Sequence, residues 1–150
     1  MAQQSGISAG IGVTFTGSGS AVPEGCLDNE GLSRFVETSD EWISSRTGIR
    51  QRHLAAPTGS LKSIAARAAQ NALEMAGITA TDVDLIILAT STADDLFGSA
   101  SQIQAELGAS RAAAFDLTAA CSGFVFGIVT AAQFIRTGTY QTVLLIGADV

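Results

Sequence analysis

Cysteine is scarce. Cys26 and Cys121 are the two cysteines among 150 residues, too few and too far apart for a secreted disulfide framework or a metal cluster, so no metal is expected and a reducing compartment, the cytoplasm, is the better reading. Histidine is scarcer still, with His53 alone. Positive charge is thin as well: 8 Lys and Arg face 14 Asp and Glu, for a net charge of −6 and a pI near 4.5, which argues against nucleic acid as a partner. Residues 1–6 lack the positive charge and following apolar run of a signal peptide. Charged residues make up only 15% of the chain and hydrophobic ones 47%, enough apolar material for one packed core of domain size. Neither an internal repeat nor a low-complexity segment stands out.

Residues 117–135 carry no charge over 19 positions, which meets the length rule for a membrane span. The stretch nevertheless contains Thr118, Ser122, Thr130 and Gln133 together with Gly123 and Gly127, and strand-like segments flank it closely. A helix buried inside a soluble sheet protein fits better, so no membrane association is expected.

Along the chain, the alternation over 13–16 predicts a short strand that leaves through the flexible turn Gly17-Ser18-Gly19-Ser20. The pattern is irregular from there to about Gly59. Within it, Thr38-Ser39-Asp40-Glu41 matches a capping box, with Thr38 as the cap and Glu41 reaching back. A short helix carrying Trp42 and Arg46 should follow. Ser60 opens a longer helix whose face holds Leu61, Ile64, Ala65, Ala68, Ala72 and Ala76, with Gly77 placed as a left-handed terminator. Residues 85–89 form an apolar run of the kind a doubly covered strand needs. Helical spacing of Ala100, Ile103, Gln104 and Leu107 leads to Gly108, a strand is expected over 112–117, a helix over 122–137 closed by Gly138, and a strand over 143–146. This alternation predicts an α/β fold, with a mainly parallel central sheet and helices on both faces. The last strand has no following helix to cover it, so the chain reads as half of a larger fold.

Cys121 falls between an expected strand and an expected helix. Ligands collect at the C-terminal edge of a parallel sheet, and first-turn amides with the positive end of the helix dipole favour a thiolate there. Gly123, two positions on, would let a substrate carbonyl approach the backbone. A buried structural cysteine is the other reading open to it. His53 lies in the basic strip Arg50-Gln51-Arg52-His53 and reads as a surface residue rather than a base for the thiol. Trp42 near Arg46, Arg50 and Arg52 suits a nucleotide, ring on base and guanidinium on phosphate, or else a helix that buries its tryptophan while its arginines are solvated. Gly17-Ser18-Gly19-Ser20 lacks the third glycine of a dinucleotide fingerprint.

These residues also carry a family resemblance. Thr38-Ser39-Asp40-Glu41-Trp42-Ile43 with Arg46-Thr47-Gly48-Ile49-Arg50 and Arg52-His53, then Glu74-Met75-Ala76-Gly77-Ile78, Gln102-Ile103-Gln104, Phe115-Asp116, Ala119-Ala120-Cys121-Ser122-Gly123-Phe124 and Gly147-Ala148-Asp149-Val150 resemble the β-ketoacyl-acyl carrier protein synthase III family of thiolase-fold condensing enzymes. The resemblance covers nearly everything after about residue 12. It implies an N-terminal thiolase-like half-domain over 11–150, with the C-terminal half absent and 1–10 a disordered extension that matches nothing.

The implied reaction starts fatty acid synthesis. Cys121 takes an acetyl or similar short acyl group from coenzyme A, and the carbanion left when malonyl-acyl carrier protein loses carbon dioxide attacks the acyl-cysteine. Coenzyme A is then a substrate and no cofactor is expected. Carried over by motif, Trp42 stacks on the adenine, Thr38 and Arg46 contact the nucleotide, and the Cys121 amide donates to the oxyanion. Phe97 closes the acyl pocket of the partner in a homodimer. The histidine and asparagine that stabilise the carbanion in the family come from its second half, so the chain alone is expected not to condense. At one place the pattern departs: the family usually has proline after that phenylalanine, whereas this chain has Gly98-Ser99. Other readings are an HMG-CoA synthase-like or polyketide-priming enzyme of the same fold, and a non-catalytic half-fold binding module.

Overall fold

The structure is a computed structural model that describes residues 11–56 and 59–150; the extension expected over 1–10 lies outside the described residues. Two compact units are present, one of residues 21–60 and one of 61–150 together with the chain up to residue 20.

The larger unit is built on a three-stranded parallel sheet of β3 (Leu85–Ala89), β4 (Ala113–Leu117) and β5 (Val143–Gly147), in the order β4-β3-β5. All five residues of β3 are buried, as its uninterrupted apolar run requires of a strand covered on both faces. Ile86 and Leu88, with Leu144 and Ile146 of β5, join a core with α3 (Leu61–Ala76) and α4 (Ala100–Leu107). Leu85 and Ile87 turn the other way and pack with Ala131, Phe134 and Leu145 under α5 (Gly123–Arg136). Helices therefore lie on both faces, as the sequence pattern predicts. Burying the four large side chains of β3 contributes on the order of 6–12 kcal/mol, at about 1.5–3 kcal/mol each.

Gly77, Gly108 and Gly138 all take positive φ after their helices, at 68°, 70° and 74°, the left-handed ending that glycine adopts at no steric cost. Helix α3 opens at Leu61, just after Ser60, and the carboxylate of Asp94, far along the chain, accepts from the Leu61 and Lys62 amides at 3.1 Å each. The core-facing stripe is Leu61, Ala65, Ala66, Ala69 and Leu73.

No strand forms over 13–16. The segment instead lies on α3, where Gly17 and Gly19 come so close that a Cβ on either would collide with the carbonyl oxygen of Ala72 or Ala68. Asn71 Nδ2 donates to the Ser20 carbonyl at 2.9 Å and reinforces the contact. A cleft of about 520 Å³ lined by residues 14–19 and 143–147 runs along β5, so the segment follows the helix and not the sheet edge. Gly17-Ser18-Gly19-Ser20 is thus a packing surface, where the sequence reading had a flexible turn.

The smaller unit holds an antiparallel ribbon of β1 (Gly25–Asp28) and β2 (Gln51–Leu54), with α1 (Asn29–Leu32) and α2 (Asp40–Thr47) between them. The stretch 117–135 breaks at the end of β4 and at a 3₁₀ turn before α5, and among the described residues no helix is long and apolar enough to cross a membrane.

Candidate active site

Cys121 sits where β4 runs out. Thr90 donates its amide to the Leu117 carbonyl at 3.1 Å and Thr118 Oγ1 returns a bond to the Thr90 carbonyl at 3.0 Å, so the β3 and β4 ends stay in register past the last paired residue. The chain then turns through a 3₁₀ segment, Ala120–Ser122, directly into α5. Ala120 has φ +46°, a left-handed backbone for a residue with a Cβ. That geometry costs about 1–2 kcal/mol relative to ordinary backbone and aims the turn so that Cys121 is exposed. The thiol is therefore accessible at the C-terminal edge of the sheet, not buried as a packing cysteine. Gly123 is buried at the start of α5, and a Cβ on it would meet that of Ala89 at 3.4 Å, an ordinary contact. Gly127, one turn on, lies closer to β5: a Cβ there would collide with the Leu145 side chain.

The loop from Thr90 to Ser99 is held by four carboxylates. Asp149, just beyond β5, accepts from the Ser91 amide at 2.7 Å and from the Thr90 and Thr92 hydroxyls at 3.1 Å each. The Ser91 amide first, then those hydroxyls, hold the Asp149 carboxyl below its ordinary range. Asp94 ties the loop to α3, Asp95 accepts from the Phe97 amide at 2.7 Å, and Asp116 accepts from the Ser99 and Ala100 amides at 2.8 and 2.7 Å, serving as the cap of α4. From this clamped loop Leu96 and Phe97 project fully into solvent, at 100% and 96% exposure. Gly98 has φ +96°, which a proline, locked near −65°, cannot adopt. The departure from the family pattern at this position thus has a backbone consequence. The loop-holding role of these aspartates was not legible in the sequence, because their partners are mostly backbone amides of distant segments.

In the smaller unit, α2 is capped by Ser39, whose Oγ accepts from the Trp42 amide at 3.1 Å. The cap expected at Thr38 is shifted by one, because the Ser39 carbonyl takes the first helical bond, from Ile43. Glu41 then falls at the second helical position, and the reciprocal box does not form. Thr38 is partly buried just ahead of the helix. Trp42 and Arg46 come together as their spacing predicts, with the guanidinium carbon 4.5 Å from the ring centroid, a distance suited to cation–π attraction. Trp42 is 54% exposed, and it is Ile43 that α2 buries, so the reading in which the tryptophan is the buried residue does not hold. The other arginines do not join this pair. Arg50 stands 3.8 Å from Asp40, and Arg52 donates to the Leu27 carbonyl at 3.0 Å and to Asn29 Oδ1 at 2.6 Å. His53 is exposed on β2, opposite Cys26, with Nδ1 2.7 Å from the Pro23 carbonyl; since a carbonyl only accepts, that nitrogen carries the proton.

Residues 115–150 match the family model of 3-oxoacyl-[acyl-carrier-protein (ACP)] synthase III. A β-ketoacyl-[acyl-carrier-protein] synthase III of Nostoc sp. is 74% identical over 140 residues, which are 93% of this chain and 42% of that protein. The protein of the same name from Acaryochloris marina is 71% identical over 139 residues, again 93% of this chain and 42% of the relative. Over nearly its whole length the chain is similar to one part of the β-ketoacyl-[acyl-carrier-protein] synthase III proteins. Among solved structures, the 3-oxoacyl-[acyl-carrier-protein] synthase III of Aquifex aeolicus has a TM-score of 0.86 at 42% identity, over 91% of this chain and 44% of its own. A priming β-ketosynthase from a polyketide biosynthetic pathway reaches 0.85 at 34% identity, over 89% and 40%. The fold is the thiolase-like α/β fold of these proteins, in part: the chain spans about two fifths of the length of the curated relatives it matches, 42% of the Nostoc protein.

Proposed function

We propose that this chain supplies the nucleophile and part of the coenzyme A site of a β-ketoacyl-acyl carrier protein synthase III. The observation that carries the reading is Cys121, an exposed thiol between β4 and α5, presented by a strained turn. Its thiolate attacks the carbonyl carbon of acetyl-coenzyme A or a similar short acyl-coenzyme A, and the coenzyme A thiolate leaves. Malonyl-acyl carrier protein then gives up carbon dioxide, the carbanion attacks the carbonyl of the acyl-cysteine, and the Cys121 thiolate departs, leaving a 3-ketoacyl carrier. Coenzyme A enters as a substrate, so no resident cofactor is required.

Trp42 and Arg46 hold the coenzyme A nucleotide, ring on adenine and guanidinium on phosphate, with Thr38 beside them. Phe97, projecting from its clamped loop, closes the acyl pocket of a second copy in a homodimer working in the cytoplasm.

Incubation with acetyl-coenzyme A followed by peptide mass spectrometry tests the nucleophile. The added acetyl group belongs on the Cys121 peptide and is absent in Cys121→Ala; its appearance on Cys26, or condensation that survives in Cys121→Ala in the whole enzyme, overturns the assignment. Trp42→Ala in the whole enzyme raises KM for acetyl-coenzyme A more than that for the malonyl carrier. Equal effects on both would make Trp42 a packing residue.

A further inference from the structure

Helix α2 has little that could fix its direction. It is eight residues long, too short to be stable alone, and it buries a single apolar side chain, Ile43. Its other residues are polar, small or, like Trp42, mostly exposed. Hydrophobic burial therefore cannot hold such a helix at one rotation about its own axis, because one anchor leaves it free to swing.

The missing constraint is polar. Among the described residues of the smaller unit, Asn29 is the buried polar one, at 1% exposure. Its amide nitrogen donates to Asp40 Oδ1 at 2.7 Å and to the Ile49 carbonyl at 2.8 Å. Asp40 is the first residue of α2 and Ile49 follows its Gly48 cap, so one side chain grips both ends of the helix. Asn29 Oδ1 accepts from Arg52 Nη2 at 2.6 Å, and Arg52 Nη1 donates to the Leu27 carbonyl at 3.0 Å, which anchors the hub to both strands of the β1–β2 ribbon. Both amide hydrogens of Asn29 are used, and two of the partners are ionised, which makes these bonds stronger than neutral ones.

We propose that Asn29 is a positioning residue for nucleotide binding: it fixes α2, and through it Trp42 and Arg46, in the orientation that receives the coenzyme A nucleotide. This rests on the reading of Trp42 and Arg46 given above. Asn29 touches no ligand. The Trp42–Arg46 pair is internal to the helix and survives loss of the hub, while the direction in which it points does not.

The test uses the full 150-residue chain as wild type, Asn29→Asp, and the double variant Asn29→Asp/Asp40→Asn. Asn29→Asp keeps the shape and the acceptor for Arg52 but removes both donors and sets two carboxylates together. The double variant returns a donor and acceptor to positions 29 and 40 and relieves that repulsion, so it remains informative if the single variant folds poorly. Trp42 is the only tryptophan, and its fluorescence reports coenzyme A binding directly. Asn29→Asp is expected to raise Kd for coenzyme A about tenfold or more, with amide NMR shifts confined to residues 21–60, and the double variant to recover most of that loss. Wild-type affinity in Asn29→Asp overturns the proposal, as does a loss of affinity with the amide signals of 40–47 unmoved or unrecovered in the double variant. If the wild-type chain binds no coenzyme A, the nucleotide reading fails. The hub is then judged on the amide signals of 40–47 alone: displacement in Asn29→Asp and return in the double variant support it, and their constancy overturns it.

Discussion

Ala120→Gly is expected to stabilise the chain and slow its chemistry. Ala120 is the non-glycine residue with positive φ among the described residues, at +46°. Relief of its left-handed strain gives back about 1–2 kcal/mol. Glycine also widens the unfolded ensemble, which takes away about 0.4–1 kcal/mol. The net is a gain of about 0–1.6 kcal/mol, or up to roughly 6 °C in Tm for a chain of this size. Ala120→Val works the other way, since a β-branched residue at positive φ adds crowding of about 1–3 kcal/mol. Urea denaturation of both variants beside wild type reads the sign. Under the proposed function, acylation of Cys121 by acetyl-coenzyme A falls in Ala120→Gly although stability rises, because a relaxed turn no longer holds the thiol at one angle. Destabilisation by Ala120→Gly of the size glycine causes in ordinary backbone, or a neutral Ala120→Val, would refute the reasoning.

Three further outcomes follow from geometry already given. Ile87→Ala removes a fully buried side chain from the central strand and should cost about 2–5 kcal/mol in chemical denaturation. Asp94→Ala leaves the Leu61 and Lys62 amides without their acceptor; a loss of about 0.5–2 kcal/mol is expected, with hydrogen exchange rising first at the start of α3. Asp84 is held below the ordinary value of 3.8 chiefly by the Gln141 and Thr142 amides. A carboxylate lowered in the folded state stabilises at pH values above the unfolded value, and that stabilisation is lost as pH falls through the folded one. Acid titrations of Asp84→Asn should therefore show a smaller loss of stability below about pH 4 than wild type, and an unchanged acid limb would remove Asp84 from the account.

The central sheet was legible because buried parallel strands must be apolar on both sides, and residues 85–89 and 143–146 say so without alternation. Helix ends were legible at Gly77, Gly108 and Gly138, each in a left-handed turn, though not at Gly48. The β1–β2 ribbon was not, since its four-residue strands are mostly exposed and carry no periodic apolar signal. Nor was the partner of α3, because Asp94 lies 33 residues from Leu61, outside any local capping pattern. Asn29 falls in a stretch with no regular pattern; its burial depends on Asp40, Ile49 and Arg52 arriving from elsewhere in the unit. Cys121 could be placed at a strand–helix junction from pattern alone, but its exposure depends on the Ala120 backbone angle, which no sequence period encodes.

The distant cap on α3 also has a bearing on how the chain is made. A nascent chain leaves the ribosome from its N-terminus, so residues 61–76 emerge well before Asp94 is free to reach them. Until then the first turn of α3 has its amides in water and frays. Ala68 and Ala72, on which Gly17 and Gly19 rest, belong to the same helix. One carboxylate thus links the start of α3 to the loop that carries Phe97, and that link closes only once the loop has been synthesised.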